Sequence, residues 1–200
     1  MKELLEFWFG TQFEHGFPVQ SRYLELWFRA TPAHDWAIYR RFDRLVARAL
    51  DGQLEDWATS AEGRLALILL LDQLPRHLFR HTAFAYRGDK AALGHCREAM
   101  RSGQDRQLLP CQRLFLYAPL EHSEDLAVQE EAVENIQRLQ AELDPPAAQK
   151  LEYFARWIRI HRDVVARFGR FPWRNRALGR DNSLDEETYL TRNPPYLGQW

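Results

Sequence analysis

A chain of 200 residues, 46 % of them hydrophobic, holds enough apolar material for one domain with its own core. Its formal net charge of −1 argues against a wholly basic nucleic-acid binder, and the longest apolar run, Leu65 to Leu71, is too short to span a bilayer. We therefore expect one domain over 1–200 with no nucleic-acid or membrane partner. Arginine dominates the cations, 24 Arg against three Lys, so planar bidentate donors replace mobile point charges across the chain.

In chain order, Leu4, Leu5, Trp8 and Phe9 form one apolar face that stops at Gly10. A turn-rich stretch with Gly16 and Pro18 leads to a short helix over Tyr23 to Phe28. Thr31-Pro32 reads as a cap and first turn, followed by an amphipathic helix with Tyr39, Phe42, Leu45, Val46, Ala49 and Leu50 inward, closed by Gly52. Thr59 and Glu62 fit a capping box for a helix from Arg64 to about Leu74, apolar almost all round and so central. Pro75 ends or kinks it, leaving Arg76, His77, Phe79 and Arg80 at the break.

Asp89 is expected to cap a helix that stops at Gly103, and a short helix over Gln112 to Tyr117 ends at Pro119. Ser123 to Leu143 reads as a long helix. Asp144-Pro145 caps the next, which carries Leu151, Phe154, Ile158, His161, Val165 and Phe168 inward and stops at Gly169. Ser183 and Glu186 form a capping box for a last short helix. Strand-length alternation is essentially absent, so the fold class is all-α, built from antiparallel helix pairs. No repeated signature is visible.

Cys96 and Cys111 have neither CxxC nor metal spacing and read as reduced thiols of an intracellular protein. The N-terminus carries acidic residues and no signal-peptide cleavage region, so a cytoplasmic location is expected. No HExxH, paired ExxH or cysteine set points to a metal, and no Gly-rich loop has phosphate or dinucleotide spacing. The sequence names no cofactor, and oligomeric state stays open.

Charge separates along the second half. Pro119 to Asp144 holds eight acids and one base, whereas Arg156 to Arg180 holds eight arginines and one acid. Mutual neutralisation across a helix pair explains part of this, but Arg170, Arg174, Arg176 and Arg180 lie beyond the helix in the run FGRFPWRNRALGR. Glu121-His122-Ser123-Glu124-Asp125 falls at the expected mouth of the long helix, where acids are favoured by its dipole. His122 there is either an acid/base or a hydrogen-bonded support, and His161 is either a core group or an imidazole facing a site. Asp72 on the central helix needs a partner, for which Arg76 is the obvious one. Arg76 and Arg80, four apart, either latch neighbouring acids or grip a phosphate or carboxylate.

LLEFWFG at Leu4–Gly10, LDQLPRHLFR at Leu71–Arg80, PLEHSEDLAVQ at Pro119–Gln129, His161, FGRFPWRNRALGR and Leu184-Asp185-Glu186-Glu187 together resemble the bacterial domain-of-unknown-function family 924. The resemblance implies a tetratricopeptide-like array of helix pairs, and it brings no established activity with it. Its signature positions match Asp72, Gln73, Pro75, Arg76, Arg80, Glu121, His122, Ser123, Glu124, Gln129, His161, Gly169, Arg170, Pro172, Arg174, Asn175 and Arg180. Members commonly carry FPHRN at the turn, whereas this chain has Trp173 in place of that histidine, which offers stacking and a single donor.

Three readings stay open. In the first, a polar site binds an anionic small molecule through Arg76, Arg80, Glu124, Arg170, Arg174, Asn175 and Arg180, with Glu121, His122 or His161 as the candidates for any acid/base chemistry. In the second, a tetratricopeptide-like surface binds a protein or a peptide terminus. In the third, the same residues form a purely structural polar network.

Overall fold

The computed structural model describes residues 1–192. The expected domain 1–200 therefore includes a stretch, 193–200, that lies outside the described residues. The fold is all-α with one small antiparallel strand pair. Helix α1 (Lys2–Phe9) buries Leu4, Leu5, Trp8 and Phe9 and ends at Gly10. The turn-rich stretch contains strands β1 (Phe13–Glu14) and β2 (Phe17–Pro18), joined through His15 and Gly16, both at positive φ. Two consecutive left-handed residues match the twist of a tight hairpin, and two-residue strands are too short to show alternation in sequence. Helix α2 (Arg22–Phe28) and helix α3 (Pro32–Leu50) follow, the latter capped by the Thr31 side chain as expected.

Helix α4 (Ala61–Ile68) is opened by Ser60, whose hydroxyl accepts from Gly63 N–H, instead of by Thr59. The helical path then runs on through Pro75. Leu69–Gln73 form a π turn in which Leu74 N–H donates to the Leu69 carbonyl five residues back, and α5 (Leu74–Leu78) continues beyond it. Proline removes the N–H that the Leu71 carbonyl would bond in an α-helix and clashes with that carbonyl, and the wider turn accommodates both effects. The break expected at Pro75 is thus a bulge inside a continuous helical segment. Leu65 to Leu71 are at most 2 % exposed, as their all-round apolar character requires.

Helix α6 (Asp89–Ser102) begins at Asp89 with Gly88 as its N-cap, so Asp89 does not cap it. Helix α7 (Pro110–Glu121) extends past Pro119, and helix α8 (Leu126–Glu142) starts only at Leu126, capped by Asp125. Glu121 is therefore the last residue of α7 and His122 its C-cap, and neither lies at the mouth of α8. Gln129, fully buried, fixes the α7–α8 turn by donating to the carbonyls of Glu121 at 2.5 Å and Ser123 at 2.6 Å. Helix α9 (Pro145–Phe168) runs from the Asp144 cap to Gly169, and α10 (Leu184–Arg192) follows a short turn of 3₁₀ helix at Pro172–Arg174.

Helices α6, α7, α8 and α9 pack consecutively, each on its predecessor. They join α1 to α4 in one large hydrophobic cluster, while Val164, Val165 and Phe171 form a second with Phe168, Trp173 and Tyr189. Among the described residues, no helix is long and apolar enough to cross a membrane.

Candidate functional site

The π turn places Asp72 where no water reaches it, and three donors converge there. Arg76 Nη1 lies 3.1 Å from Oδ1, His122 Nδ1 lies 2.8 and 2.9 Å from the two oxygens, and Gln73 Nε2 donates to Oδ2 at 2.6 Å. Burial alone would raise the Asp72 carboxyl, but Arg76 and His122 outweigh it and hold the group well below the usual carboxylate range. Arg76 turns its other edge to Asp89 and binds it bidentately at 2.9 and 3.0 Å. Gly88 permits this: a Cβ there would stand 2.2 Å from the Leu71 carbonyl oxygen. The α6 terminus thus reaches the π turn, and Asp89, expected as a cap, becomes a partner for the buried arginine.

Arg174 arrives from the C-terminal turn and completes the cluster. Its Nη1 lies 3.5 Å from Asp89 Oδ2, an ion pair beyond good hydrogen-bond length. Its guanidinium carbon sits 4.6 Å from the ring centres of both Tyr86 and Phe171, and Arg76 approaches the same Tyr86 ring at 5.6 Å. Arg174 is 4 % exposed, and its Nε has no acceptor among the described residues. Burial, reinforced by repulsion from Arg76, lowers its affinity for the proton relative to a free arginine. Burial also raises the Tyr86 phenol, against the pull of the two arginines, so it remains a neutral donor.

Beside this cluster stands a second carboxylate–imidazole pair. His161 Nδ1 is 2.8 Å from Glu121 Oε1, although that oxygen lies off the axis along which a ring N–H donates. Burial would raise Glu121, but the charges of His161 and His122 prevail and lower it. The His161 ring packs on Phe171 and Trp173, at 5.4 and 5.7 Å between centres, and Trp173 stacks on Phe171 at 4.8 Å. The Trp173 indole N–H is buried without an acceptor among the described residues.

Glu124 pins the turn from below. It accepts from Phe171 N–H at 2.8 Å and from both Arg180 Nη atoms at 2.6 and 2.9 Å. Arg180 Nε donates to Asn175 Oδ1, and Asn175 Nδ2 reaches Asn182. Glu186 on α10 binds Arg170 bidentately at 2.7 and 2.9 Å while it also accepts from Ser183 N–H. The capping box expected there is present and carries a second role.

The candidates from sequence therefore fall into two sets. Arg76, Arg174, Glu121, His122 and His161 gather around Asp72, Asp89 and Tyr86. Glu124, Arg170, Asn175 and Arg180 form a network that builds the turn. Arg80 lies apart from both, bound to Asp35 of α3 at 2.8 and 2.9 Å beside His77. Asp35, Tyr86 and Asp89 escaped the sequence reading, because each gains its role from a partner 13 to 45 positions or more distant. Among the described residues, Arg180–Glu124 and His161–Glu121 join the acidic segment to the basic one, whereas Glu131 and Glu142 pair with Arg97 and Arg113 instead. Among the described residues, no group of three His, Cys, Asp or Glu is arranged to hold a metal ion.

Fold and site together define an all-α protein with a buried Arg–Asp–His–Glu network at the junction of its central helix and its C-terminal turn. The chain belongs to the family described as bacterial protein of unknown function (DUF924), whose profile matches residues 4–194. It is also similar in structure to the protein of unknown function ATU0120 from Agrobacterium tumefaciens, at 36 % identity and a TM-score of 0.69, over 85 % of this chain and 95 % of that one. No curated protein matches it.

Proposed function

We propose that the cluster around Arg174 binds a small anion, with the Asp72–His122 and Glu121–His161 pairs placed to move protons beside it. The observation that carries this reading is Arg174 itself. It is a buried guanidinium with an ion pair at 3.5 Å, no hydrogen bond among the described residues and an Nε without an acceptor. Burying a charge with so few acceptors is costly unless another partner supplies them. In the Asp72–His122 pair Nδ1 is hydrogen-bonded to the carboxylate, an arrangement that fixes the tautomer and leaves Nε2 for acid/base work, while His161 Nδ1 stands close to Glu121 without that bond.

A second reading applies to Arg80, Arg170 and Arg180: each is already bidentate to a carboxylate, which favours a structural lock over ligand binding at those positions. The consecutive packing of α6 to α9 supports the tetratricopeptide-like arrangement that the family resemblance implies.

Calorimetric titration of the wild type and Arg174→Gln with carboxylates and phosphates, at fixed ionic strength, tests the proposal. Saturable binding of at least one anion, weakened about tenfold or more in the variant, is expected, since a charged hydrogen-bonded contact is worth roughly 1.5–3 kcal/mol. If no anion saturates the wild type, the network is structural throughout.

A further inference from the structure

Resting on that reading of Arg174 as an anion site, we infer that its ligand is a monocarboxylate on an apolar body, and not a phosphate. The first argument is charge. Arg76, Arg174 and Arg180 bring three positive charges to this region, and Asp72, Asp89 and Glu124 bring three negative ones. Glu121 adds a further carboxylate, held against His161. The region thus holds four carboxylates against three arginines and has no excess of guanidinium charge to offer, so each negative charge a ligand brings adds to the burial cost. A monocarboxylate brings one such charge and a dianionic phosphate two, so the singly charged ligand is the less costly to bury here.

The second argument is the donor set. Within the single turn Pro172–Arg174, both the Trp173 indole N–H and Arg174 Nε are buried without acceptors among the described residues, and Arg76 Nε, near the same Tyr86 ring, is in the same state. The Tyr86 phenol, kept protonated by burial, is a fourth donor. An arginine fork suits a planar pair of oxygens, and a carboxylate is an acceptor of that shape and of a single charge. The third argument is the lining. Tyr86 and Phe171 flank the guanidinium with rings that attract its charge, and Trp173, stacked on Phe171, extends this apolar surface on the side where a carboxylate's body would lie. Trp173 supplies a donor that never titrates, so carboxylate binding at this turn needs no protonated side chain at position 173.

The apolar carboxylate has two sources, a free small acid and the C-terminus of a peptide, and the two share this chemistry. The test uses the full chain with ¹⁵N-labelled tryptophan, the Trp173 indole resonance being identified by its loss in Trp173→Phe. Sodium benzoate, N-acetylphenylalanine as a peptide-end mimic, sodium acetate and inorganic phosphate are titrated against chloride at constant ionic strength. We expect saturating shifts of the Trp173 resonance with benzoate or N-acetylphenylalanine, the tighter of the two naming the source. Acetate is expected to bind at least about tenfold more weakly, and phosphate to give no saturation. Arg174→Lys, which keeps the charge and loses the fork, is expected to weaken the tighter carboxylate about tenfold or more. Should that variant fail to fold, calorimetry on Trp173→Phe replaces it, with a loss of several-fold expected. Phosphate saturating as tightly as benzoate overturns the monocarboxylate while leaving the anion site in place. No saturation by any of the four, or carboxylate binding indifferent to both substitutions, overturns the site as well.

Discussion

Asp35 accepts two hydrogen bonds from Arg80, at 2.8 and 2.9 Å, and one from His77 Nδ1 at 2.9 Å. Burial would raise its carboxyl, but these hydrogen bonds and the charges behind them bring it down to about 2. A carboxyl whose folded value is depressed binds fewer protons in the native state, so its stabilisation is complete above the unfolded value near 4 and vanishes as the pH falls through about 2. The asparagine variant has no such group to titrate. Asp35→Asn is therefore less stable than the wild type at pH 7, and the difference narrows as urea midpoints are followed from about pH 5 to about pH 2. Parallel curves over that window would show that Asp35 gains nothing from Arg80 and His77. The contrast with Arg174 is instructive at this scale: both residues carry a charge into the protein, yet one is fully met by partners and the other is not.

At the scale of elements, one proline and one glycine position the candidate site. Pro75 opens the π turn that turns Asp72 inward, and Gly88 lets α6 come against the Leu71 carbonyl, delivering Asp89 to Arg76. A Cβ at Gly88 meets backbone that has no side chain to swing aside, so Gly88→Ala is expected to cost about 1–3 kcal/mol. Gly94, on the exposed side of the same helix, would place its Cβ in open space. There the substitution removes backbone freedom from the unfolded chain and is expected to stabilise by about 0.4–1 kcal/mol. Paired denaturant titrations decide this, and a Gly88→Ala protein as stable as Gly94→Ala would show that the close approach does not matter. Such contacts also mark the limit of what the sequence carried. Caps such as Thr31 and Asp144, and stops such as Gly169, are local chemistry and were legible from a few neighbouring residues. The π turn was not, because a proline inside an apolar run has two outcomes, ending the helix or widening it, and packing chooses between them. The place of Glu121 and His122 at the end of α7 escaped for a similar reason: Pro119 sits inside that helix, where sequence rules put its end. Arg76 was readable as the partner of Asp72 through its i,i+4 spacing, whereas its bond to Asp89 depends on how two helices dock.

Across the whole molecule, the large cluster that runs from α1 to α9 and the small one at Val164, Val165 and Phe171 are held by different forces. The first is continuous apolar packing around α4. In the second, three buried hydrophobic residues are supplemented by charge: Arg167 holds Asp185 at 2.6 Å, Arg170 holds Glu186, and Arg180 holds Glu124. Little apolar area and many polar ties describe a region that opens on its own, at a lower free energy than the global transition. Glu186 is the centre of those ties, since its 2 % exposed carboxylate serves Arg170, Asn175 and the Ser183 N–H at once. Burial opposes this, but the Arg170 hydrogen bond comes first and brings Glu186 down to about 2, so it is charged throughout the neutral range. Glu186→Ala removes a cap and a charged hydrogen-bond centre together and leaves Arg170 free to reach solvent. Amide hydrogen exchange in α10 is therefore expected to accelerate on the order of 10–100-fold, while the amides of Leu65 to Leu70 in the central helix keep their wild-type rates. Equal acceleration in both regions would mean that α10 opens only when the whole protein does. The site at Arg174 would then sit on the rigid core, and not at the seam between a stable helical body and a C-terminal turn that can loosen around it.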